Sequence, residues 1–494
     1  MEEEKLAERI NEQIARDIEH GPKSGKTKGK NETKSSKKIP KVSPEHIAEV
    51  RAKREAAKKA KRDAMIARGL DPDCPPDLQF IRRPMLHLNQ NETGGGFTFT
   101  IMTYNCLAQA LIRRKLFPTS GNALKWFKRS QVLLNEFKHY NADLHCLQEI
   151  DYIQYQSFWK GEFNKLGYDS QYHRSGTKNH GIAIVWKHDL FTMVDKMLID
   201  YDKEASGNIE PRTTTTNVGL VLALKFSNKV LEKFPHSNKS GIIIGTSHLF
   251  WHPFGTFERT RQCYVLLNKM KEFSHRVKLL QGADTHWYPF FCGDFNSQPF
   301  DAPYLSMTSK PVTYQGRAKR VIECSASFTF SKARDGEECD DEEGGNIEKF
   351  GADQPDHPVP DEFQATDEQA ALVKNIEKLH NGLDMRAISI YSIGYKHVHP
   401  ENAGLDNDGK EPEISNWAHT WRGLLDYIFF IKSWDYSDRR TPDKIETFEQ
   451  ENGVKIKSLL RMPPAAEMPD HGQPHEGEYA SDHLSMICEL ELDM

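Results

Sequence analysis

The amino-acid sequence predicts an α/β sandwich: two β-sheets packed together, with helices outside. Three observations point that way. The chain has 494 residues, more than enough for a large two-layer core. Many short apolar runs of strand length are spread along it, while few stretches repeat at helical spacing. No internal repeat is present, and no run approaches the roughly 18 apolar residues of a membrane span.

The elements follow in order. Residues 1–75 hold few aromatic or β-branched residues, and 21–41 is a Lys/Gly/Ser tract, disordered by composition. Residues 44–69 read as a basic helix, with Ser43 as cap and Pro44 at its first position. Residues 1–70 carry 19 Lys/Arg against 12 Asp/Glu. Such an arm fits a solvated tail, a nucleic-acid-binding segment or a nuclear address around 34–41. The globular body is expected to begin near Phe97. Residues 98–104 alternate as a strand does. Residues 122–140 repeat apolar side chains at helical spacing, through Trp126, Phe127, Leu133, Leu134 and Phe137. A short strand at 144–147 leads into Gln148-Glu149. Further strands are expected at 182–186, 218–224, 242–247, 289–292, 426–431 and 484–490, with a second helix at 262–273. Residues 333–381 read as a long acidic insertion, partly disordered; 335–368 alone hold 14 Asp/Glu against one Lys. Residues 400–415 and 463–478 read as loops.

Composition excludes several classes. The chain is 37% hydrophobic and 28% charged, a soluble composition with a polar excess. Its N-terminus, Met-Glu-Glu-Glu-Lys, has no apolar stretch of a secretory signal. Eight cysteines are scattered without a Cys-x-x-Cys pair, and Cys106, Cys146, Cys292 and Cys488 lie in apolar stretches. They read as small core residues in a reducing compartment, which places the protein in the nucleus or cytoplasm, not among secreted or membrane proteins. The formal net charge of −5 conceals a basic arm, an acidic tract and a nearly neutral body.

Polar residues recur where strands end. Asn105 follows Thr103-Tyr104, Glu149 follows Leu147-Gln148, and His248 follows Thr246-Ser247. Asp294 and Asn296 stand in Gly-Asp-Phe-Asn, Asp426 opens a strand, and Asp482 and His483 precede the last one. Any one of these is ordinary in a turn. Together, strand ends at one sheet edge would gather them. Mg²⁺ takes oxygen ligands and keeps several waters, so one or two carboxylates with amide oxygens suffice. Glu149 with Asn105 is the expected primary metal ligand. Asp294, Asn296 and Asp482 would hold a second metal, or position the attacking water and the phosphate. His483 fixed by Asp426 would accept a proton from that water, and His248 would stabilise charge on the scissile phosphate.

The series Tyr104-Asn105, Leu147-Gln148-Glu149, Thr246-Ser247-His248-Leu249, Gly293-Asp294-Phe295-Asn296-Ser297, Leu425-Asp426-Tyr427-Ile428 and Ser481-Asp482-His483 resembles the DNase-I-like endonuclease/exonuclease/phosphatase superfamily, over about residues 97–494. Asn105-Cys106-Leu107-Ala108-Gln109 and His248-Leu249-Phe250-Trp251-His252-Pro253 resemble the carbon-catabolite-repressor-type deadenylases and Nocturnin, and most closely the NGL-type RNA exonucleases of yeasts. The resemblance implies a four-layer sandwich of two mixed sheets flanked by helices. It implies a Mg²⁺-dependent 3′→5′ exoribonuclease, with Mn²⁺ as a substitute cation, that takes single-stranded RNA ends and often prefers poly(A) or serves 3′-end processing. Pro253 and Trp421 would flank the terminal base, Asn296 would lie near its sugar or edge, and Arg422 would join them in binding substrate. The chain lacks the leucine-rich repeats that dock the major cytoplasmic deadenylase onto its scaffold. Competing readings are another phosphodiesterase on the same fold, such as an abasic-site DNA endonuclease or an inositol-phosphate phosphatase, and a non-catalytic RNA-binding adaptor.

Overall fold

The structure, a computed structural model, describes residues 44–88, 95–176, 178–326, 357–419 and 421–494. The chain divides into two units, Met1–Lys61 and Arg62–Met494. The described residues of the first unit all belong to helix α1 (Pro44–Ala67), rich in Ala, Lys, Arg and Glu, whose side chains from residue 48 on are almost all exposed. The Lys-rich stretch 34–41 lies outside the described residues, as does the most acidic part of the expected insertion, up to residue 356.

The second unit is built on fifteen described strands. In chain order they are β1 (Met85–His87), β2 (Phe97–Asn105), β3 (Leu144–Asp151), β4 (Tyr168–His173), β5 (His180–Lys187), β6 (Phe191–Asp200), β7 (Val218–Phe226) and β8 (Lys239–His248). Then come β9 (His286–Asp294), β10 (Met385–Ser389), β11 (Asn416–Trp417), β12 (Arg422–Gly423), β13 (Asp426–Ser433), β14 (Val454–Leu460) and β15 (Met486–Leu492). One sheet has the order β1-β14-β15-β2-β3-β5-β4, the other β10-β13-β9-β8-β7-β6. Both are mixed: β2 runs parallel to β3 and β8 to β9, and the remaining pairs in these two sheets are antiparallel.

Alternation in β2 shows how the layers arise. Phe97, Phe99 and Ile101 face the other sheet, in one core with Leu220, Leu222, Ile242, Ile244 and Phe290. Met102 and Tyr104 face outward, in a second core with Leu133, Leu134 and Phe137. Those last three belong to α2 (Trp126–Tyr140), the helix expected at 122–140, which ends on Asn141 in the left-handed conformation. The outer face of the second sheet carries α3 (Thr256–Gln281), through Cys263, Leu266, Met270, Phe273 and Val277. The four-layer sandwich is therefore present.

Three features differ from the sequence reading. The body begins before residue 97: Phe80 and Arg83 are buried, and β1 pairs with β14. Helix α3 is twice as long as the stretch expected at 262–273, because its first turns are polar side chains buried by hydrogen bonds. Residues Asp367–Asn381, read as insertion, form a helix with a capping box between Thr366 and Gln369. Its Val373 and Ile376 pack with Phe257 and Ile322. Among the described residues no helix is long and apolar enough to cross a membrane. Cys106, Cys146, Cys292 and Cys488 are buried and free, as expected.

Candidate active site

Strand register gathers the polar residues. In β8 and β9, His248 lies opposite Asp294, and in β9 and β13, Asp294 lies opposite Asp426. In the facing sheet Asn105 closes β2 opposite Gln148 of β3. Glu149 follows at an irregularity in β3, where pairing with β5 shifts between Leu147 and Ile150 and Glu149 takes a left-handed φ of 53°. A bulge of this kind re-aims a side chain at a sheet edge. Gln148, fully buried, ties the two sheets at this point, since its Nε2 donates to Thr246 Oγ1 of β8 at 2.9 Å. Gly293, at φ 154°, precedes Asp294; a Cβ there would stand 2.2 Å from Ser247 O, so only glycine permits this approach of β8 and β9.

The side chains form one connected cluster. Asn105 Nδ2 donates to Glu149 Oε1 at 2.8 Å and to Asp294 Oδ2 at 3.0 Å, while its Oδ1 accepts from Leu107 N. Glu149 Oε2 accepts from Ala108 N at 2.9 Å, which accounts for the Asn-Cys-Leu-Ala run. Asp294 Oδ2 lies 3.6 Å from His248 Nε2 and 3.5 Å from His483 Nε2, midway between two imidazoles. Asp426 Oδ2 is 2.8 Å from His483 Nδ1 and accepts from Ser415 Oγ at 2.7 Å. Asn296, at φ 46°, donates through its side chain to Leu249 O, and its backbone N–H donates to Asp294 Oδ1. Ser481 Oγ donates to Asn105 O, which brings Asp482 and His483 to the cluster.

The electrostatics are dominated by carboxylates. Burial pushes Asp482 up to about 6; His483 opposes the shift and Glu149 adds to it. Burial disfavours charge on His483, but the carboxylates of Asp426 and Asp294 outweigh it and hold the imidazole well above its ordinary range. The ion pair of His483 with Asp426 is the state that this geometry favours. Arg129 is buried nearby, but its guanidinium is engaged by the carbonyls of Cys106, Leu107 and Ala480. Glu149, Asp294 and Asp482 face a cavity that no lysine lines, and its two arginines are engaged elsewhere, Arg259 by Ser297 Oγ and backbone carbonyls and Arg317 by Asp301. A phosphodiester could approach only with compensation, and the oxygen-rich donor set of Glu149, Asp294 and Asp482 fits a hard divalent cation. Such a cation would neutralise phosphate oxygens and lower the pKa of a bound water.

A cavity of about 530 Å³ opens beside the cluster. Glu149, His248, Asp294, Asn296, Asp482 and His483 line it, and so do Pro253 and Trp421. Trp421 is 43% exposed, so it is not a core aromatic. Its ring lies over Gly423, where a Cβ would clash at 2.8 Å. Two of the expected residues stand off the cavity. Arg422 does not line the cavity; its guanidinium lies over the Trp417 ring, 4.4 Å from the centroid. Asn105 is buried and also stands off the cavity, because its amide is spent in holding Glu149 and Asp294. Asp426 likewise stands off the cavity, bonded to His483 from behind.

Sequence reasoning missed Ser415, which fixes Asp426, and Arg259 of α3, which lines the cavity. Arg259 donates to Ser297 Oγ and to the carbonyls of Phe250 and His252, so it holds the His248–Pro253 turn against the Asp294 loop. An Arg within a polar helix turn gives no signal of that task. Leu111, Leu116, Phe117 and Val359 add an apolar wall that no motif marked.

Comparison with known proteins agrees with this geometry. The profile of the Endonuclease/Exonuclease/phosphatase family matches residues 102–483. The chain is 68% identical over 457 residues to RNA exonuclease NGL2 of Saccharomyces cerevisiae, covering 91% of this chain and 89% of that protein. It is 43% identical over 463 residues to a second protein of that yeast, named "Probable RNA exonuclease NGL3", covering 90% of this chain and 89% of the other. Among solved structures, ANGEL2, a 2′,3′-cyclic phosphatase, shares the fold at a TM-score of 0.53 and 21% identity, over 84% of this chain and 99% of that one. With the profile spanning most of the chain and its site motifs falling at one sheet edge, the chain belongs to the Endonuclease/Exonuclease/phosphatase family.

Proposed function

We propose that the chain is a divalent-metal-dependent 3′→5′ exonuclease of RNA. It is an RNA exonuclease by kinship, and the observation that carries the finer reading is the cavity. One wall is the carboxylate–histidine cluster, and another is Trp421 with Pro253. An exonuclease must hold a terminal nucleotide so that the adjoining phosphate faces the reacting groups. An exposed Trp offers a stacking face to any base and favours large ones.

The residues divide the work as follows. Glu149 and Asp482 would hold Mg²⁺, with Mn²⁺ as a substitute, and the cation would supply charge neutralisation at the phosphate. Asn105 orients Glu149 and Asp294 from behind. Asp294 and Asn296 position the attacking water and the sugar. His483 presents Nε2 while Asp426 holds Nδ1; with a cation offsetting the carboxylate charge that keeps the imidazole protonated, this would be the arrangement of an oriented general base. His248 stands on the other side of Asp294 and would stabilise charge on the phosphate. The substrate is a single-stranded RNA 3′ end; stacking on Trp421 would favour poly(A), and 3′-end maturation is the other role that the resemblance implies. The basic residues 1–75 would track the RNA backbone, and the protein would act in the nucleus or cytoplasm.

The test uses 5′-labelled RNA and DNA oligonucleotides with oligo(A) or mixed 3′ ends, with and without Mg²⁺. A 3′→5′ ladder on RNA that requires the cation supports the reading. Glu149→Gln should lose more than the roughly 10–100-fold that loss of an outer-shell partner costs. Internal cuts, free phosphate as sole product, or a cation-independent ladder would overturn it.

A further inference from the structure

Between β14 and β15 the chain carries a second group of donor atoms. His471, His475 and Glu478 each offer one ligand atom, and these lie within 4.8 Å of one another. His471 Nε2 is 3.0 Å from Glu478 Oε2, and His475 Nδ1 is 3.9 Å from Glu478 Oε1. The two imidazoles approach with centroids 3.9 Å apart and planes tilted by 34°. A second observation is independent of the grouping. His475 Nδ1 is buried and makes no hydrogen bond. A ring nitrogen shut off from water without a partner is unfavourable, and an ion at the cluster would satisfy it. None of the three residues lines the cavity described above.

We propose that His471, His475 and Glu478 bind a zinc ion that fixes this loop. Two imidazoles and a carboxylate are the mixed nitrogen and oxygen set that suits zinc rather than Mg²⁺. Bonds of about 2.0–2.2 Å in a tetrahedron set neighbouring ligand atoms about 3.4 Å apart. His471 stands 3.0 Å from Oε2 and His475 3.9 Å from Oε1 of the same carboxylate, and the three ligand atoms lie within 4.8 Å of one another, so side-chain rotations that draw them together complete the geometry. The side chains are 29%, 32% and 20% exposed, which leaves room for water at the fourth position. Gln473 Nε2 donates to Glu478 Oε2 at 2.6 Å and orients the carboxylate from behind, as outer-shell groups do.

The loop's attachments say what a fixed ion would do. Trp417 Nε1 donates to His471 O at 2.9 Å and to Pro469 O at 3.2 Å, and Gln473 N donates to Trp417 O at 2.9 Å. Trp417 N in turn donates to Asp482 O at 2.6 Å. The loop thus braces the short strand pair β11–β12, on which Trp421 is presented, and the stretch that delivers Asp482 and His483. The zinc is structural and takes no part in the reaction.

The experiment uses the full chain, with Mg²⁺ in excess to occupy oxygen-rich sites. Zn²⁺ is added, free ion is removed by gel filtration, and retained metal is measured by atomic emission alongside the melting temperature. One retained equivalent and a raised melting temperature are expected for the wild-type chain. Both should vanish in His471→Gln/His475→Gln, whose zinc-free melting temperature reports whether it folds. Should that variant not fold, Glu478→Gln serves in its place, with weakened retention expected. Co²⁺ in place of Zn²⁺ should give visible d–d absorption that the variant lacks. No retained zinc in the wild-type chain, or equal retention by the variants, would overturn the proposal. These readouts do not involve RNA.

Discussion

The hydrogen bond from His483 Nδ1 to Asp426 Oδ2, 2.8 Å long and buried, makes two residues one device. Asp426 does not line the cavity, so whatever it contributes passes through the imidazole. Removing both should therefore cost little more than removing His483 alone. We expect kcat/KM of His483→Ala/Asp426→Ala within about threefold of His483→Ala, the non-additivity of groups acting as a unit. Multiplying losses in the double variant would show independent roles. Trp421 is the opposite case, a side chain that lines the cavity and is proposed to meet substrate directly. Its ring is partly exposed beside Pro253. Loss of one stacking platform costs about 1–3 kcal/mol, so Trp421→Ala should lower kcat/KM on oligo(A) roughly ten- to a hundredfold. The gap between oligo(A) and oligo(U) should narrow, and the melting temperature should hardly move. A strong fall in melting temperature with an unchanged A-to-U ratio would count against stacking.

At the scale of elements, legibility followed burial pattern. Strands β7, β8, β9 and β13 are sealed on both faces, and their runs of Val, Leu, Ile and Phe announce them in the sequence. Strand β4 (Tyr-Asp-Ser-Gln-Tyr-His) lies at a sheet edge and β10 (Met-Arg-Ala-Ile-Ser) is short, so neither alternates clearly enough to be read. The motif residues were legible because register places them at strand ends. Ser415 and Arg259 were not, since their tasks exist only once distant segments meet. The N-terminal boundary was also misread. Phe80, Arg83 and β1 belong to the body, and Arg62 pairs with Asp73 and Arg82 with Asp71. A deletion of residues 1–61 should thus leave hydrolysis of short oligonucleotides nearly intact. It should weaken binding to long RNA and flatten its dependence on salt, because Lys/Arg contacts to phosphate are lost. Deleting residues 1–83 should instead destabilise the protein, since Phe80 and Arg83 leave the core. An unchanged salt slope after the shorter deletion would remove the arm from RNA binding.

For the whole molecule, the core that holds the site carries its own pH dependence. His145 of β3 is buried among Phe137, Phe163 and Tyr168, and neither of its ring nitrogens has a hydrogen-bond partner. Burial, assisted by Lys187, pushes it from its ordinary 6.5 down to about 3. The unfolded chain therefore binds a proton at this residue below pH 6.5 while the folded chain does not. Stability rises with pH wherever the unfolded state holds more protons. The contribution of His145 is thus constant above about 6.5 and falls as pH drops from there towards 3, by about 1.4 kcal/mol per unit. Other buried groups shape the total curve as well, among them Asp482, raised to about 6. His380, also held near 3 by burial with Lys310 beside it, adds to the acid loss. Glu411, pushed up to about 7 by burial, works the other way, since its protonation favours the folded state between 7 and 4.5. The difference between two proteins that share these groups cancels them. His145→Phe replaces the imidazole with a ring that suits its aromatic neighbours and cannot titrate. Denaturant unfolding of both proteins from pH 8 to pH 4.5 should give curves separated by a constant offset above 6.5. Below it the variant should gain on the wild-type chain by about 1.4 kcal/mol for each unit of pH. Parallel curves over the whole range would mean that His145 reaches water or a partner when it is charged, and that the acid limb of stability lies elsewhere.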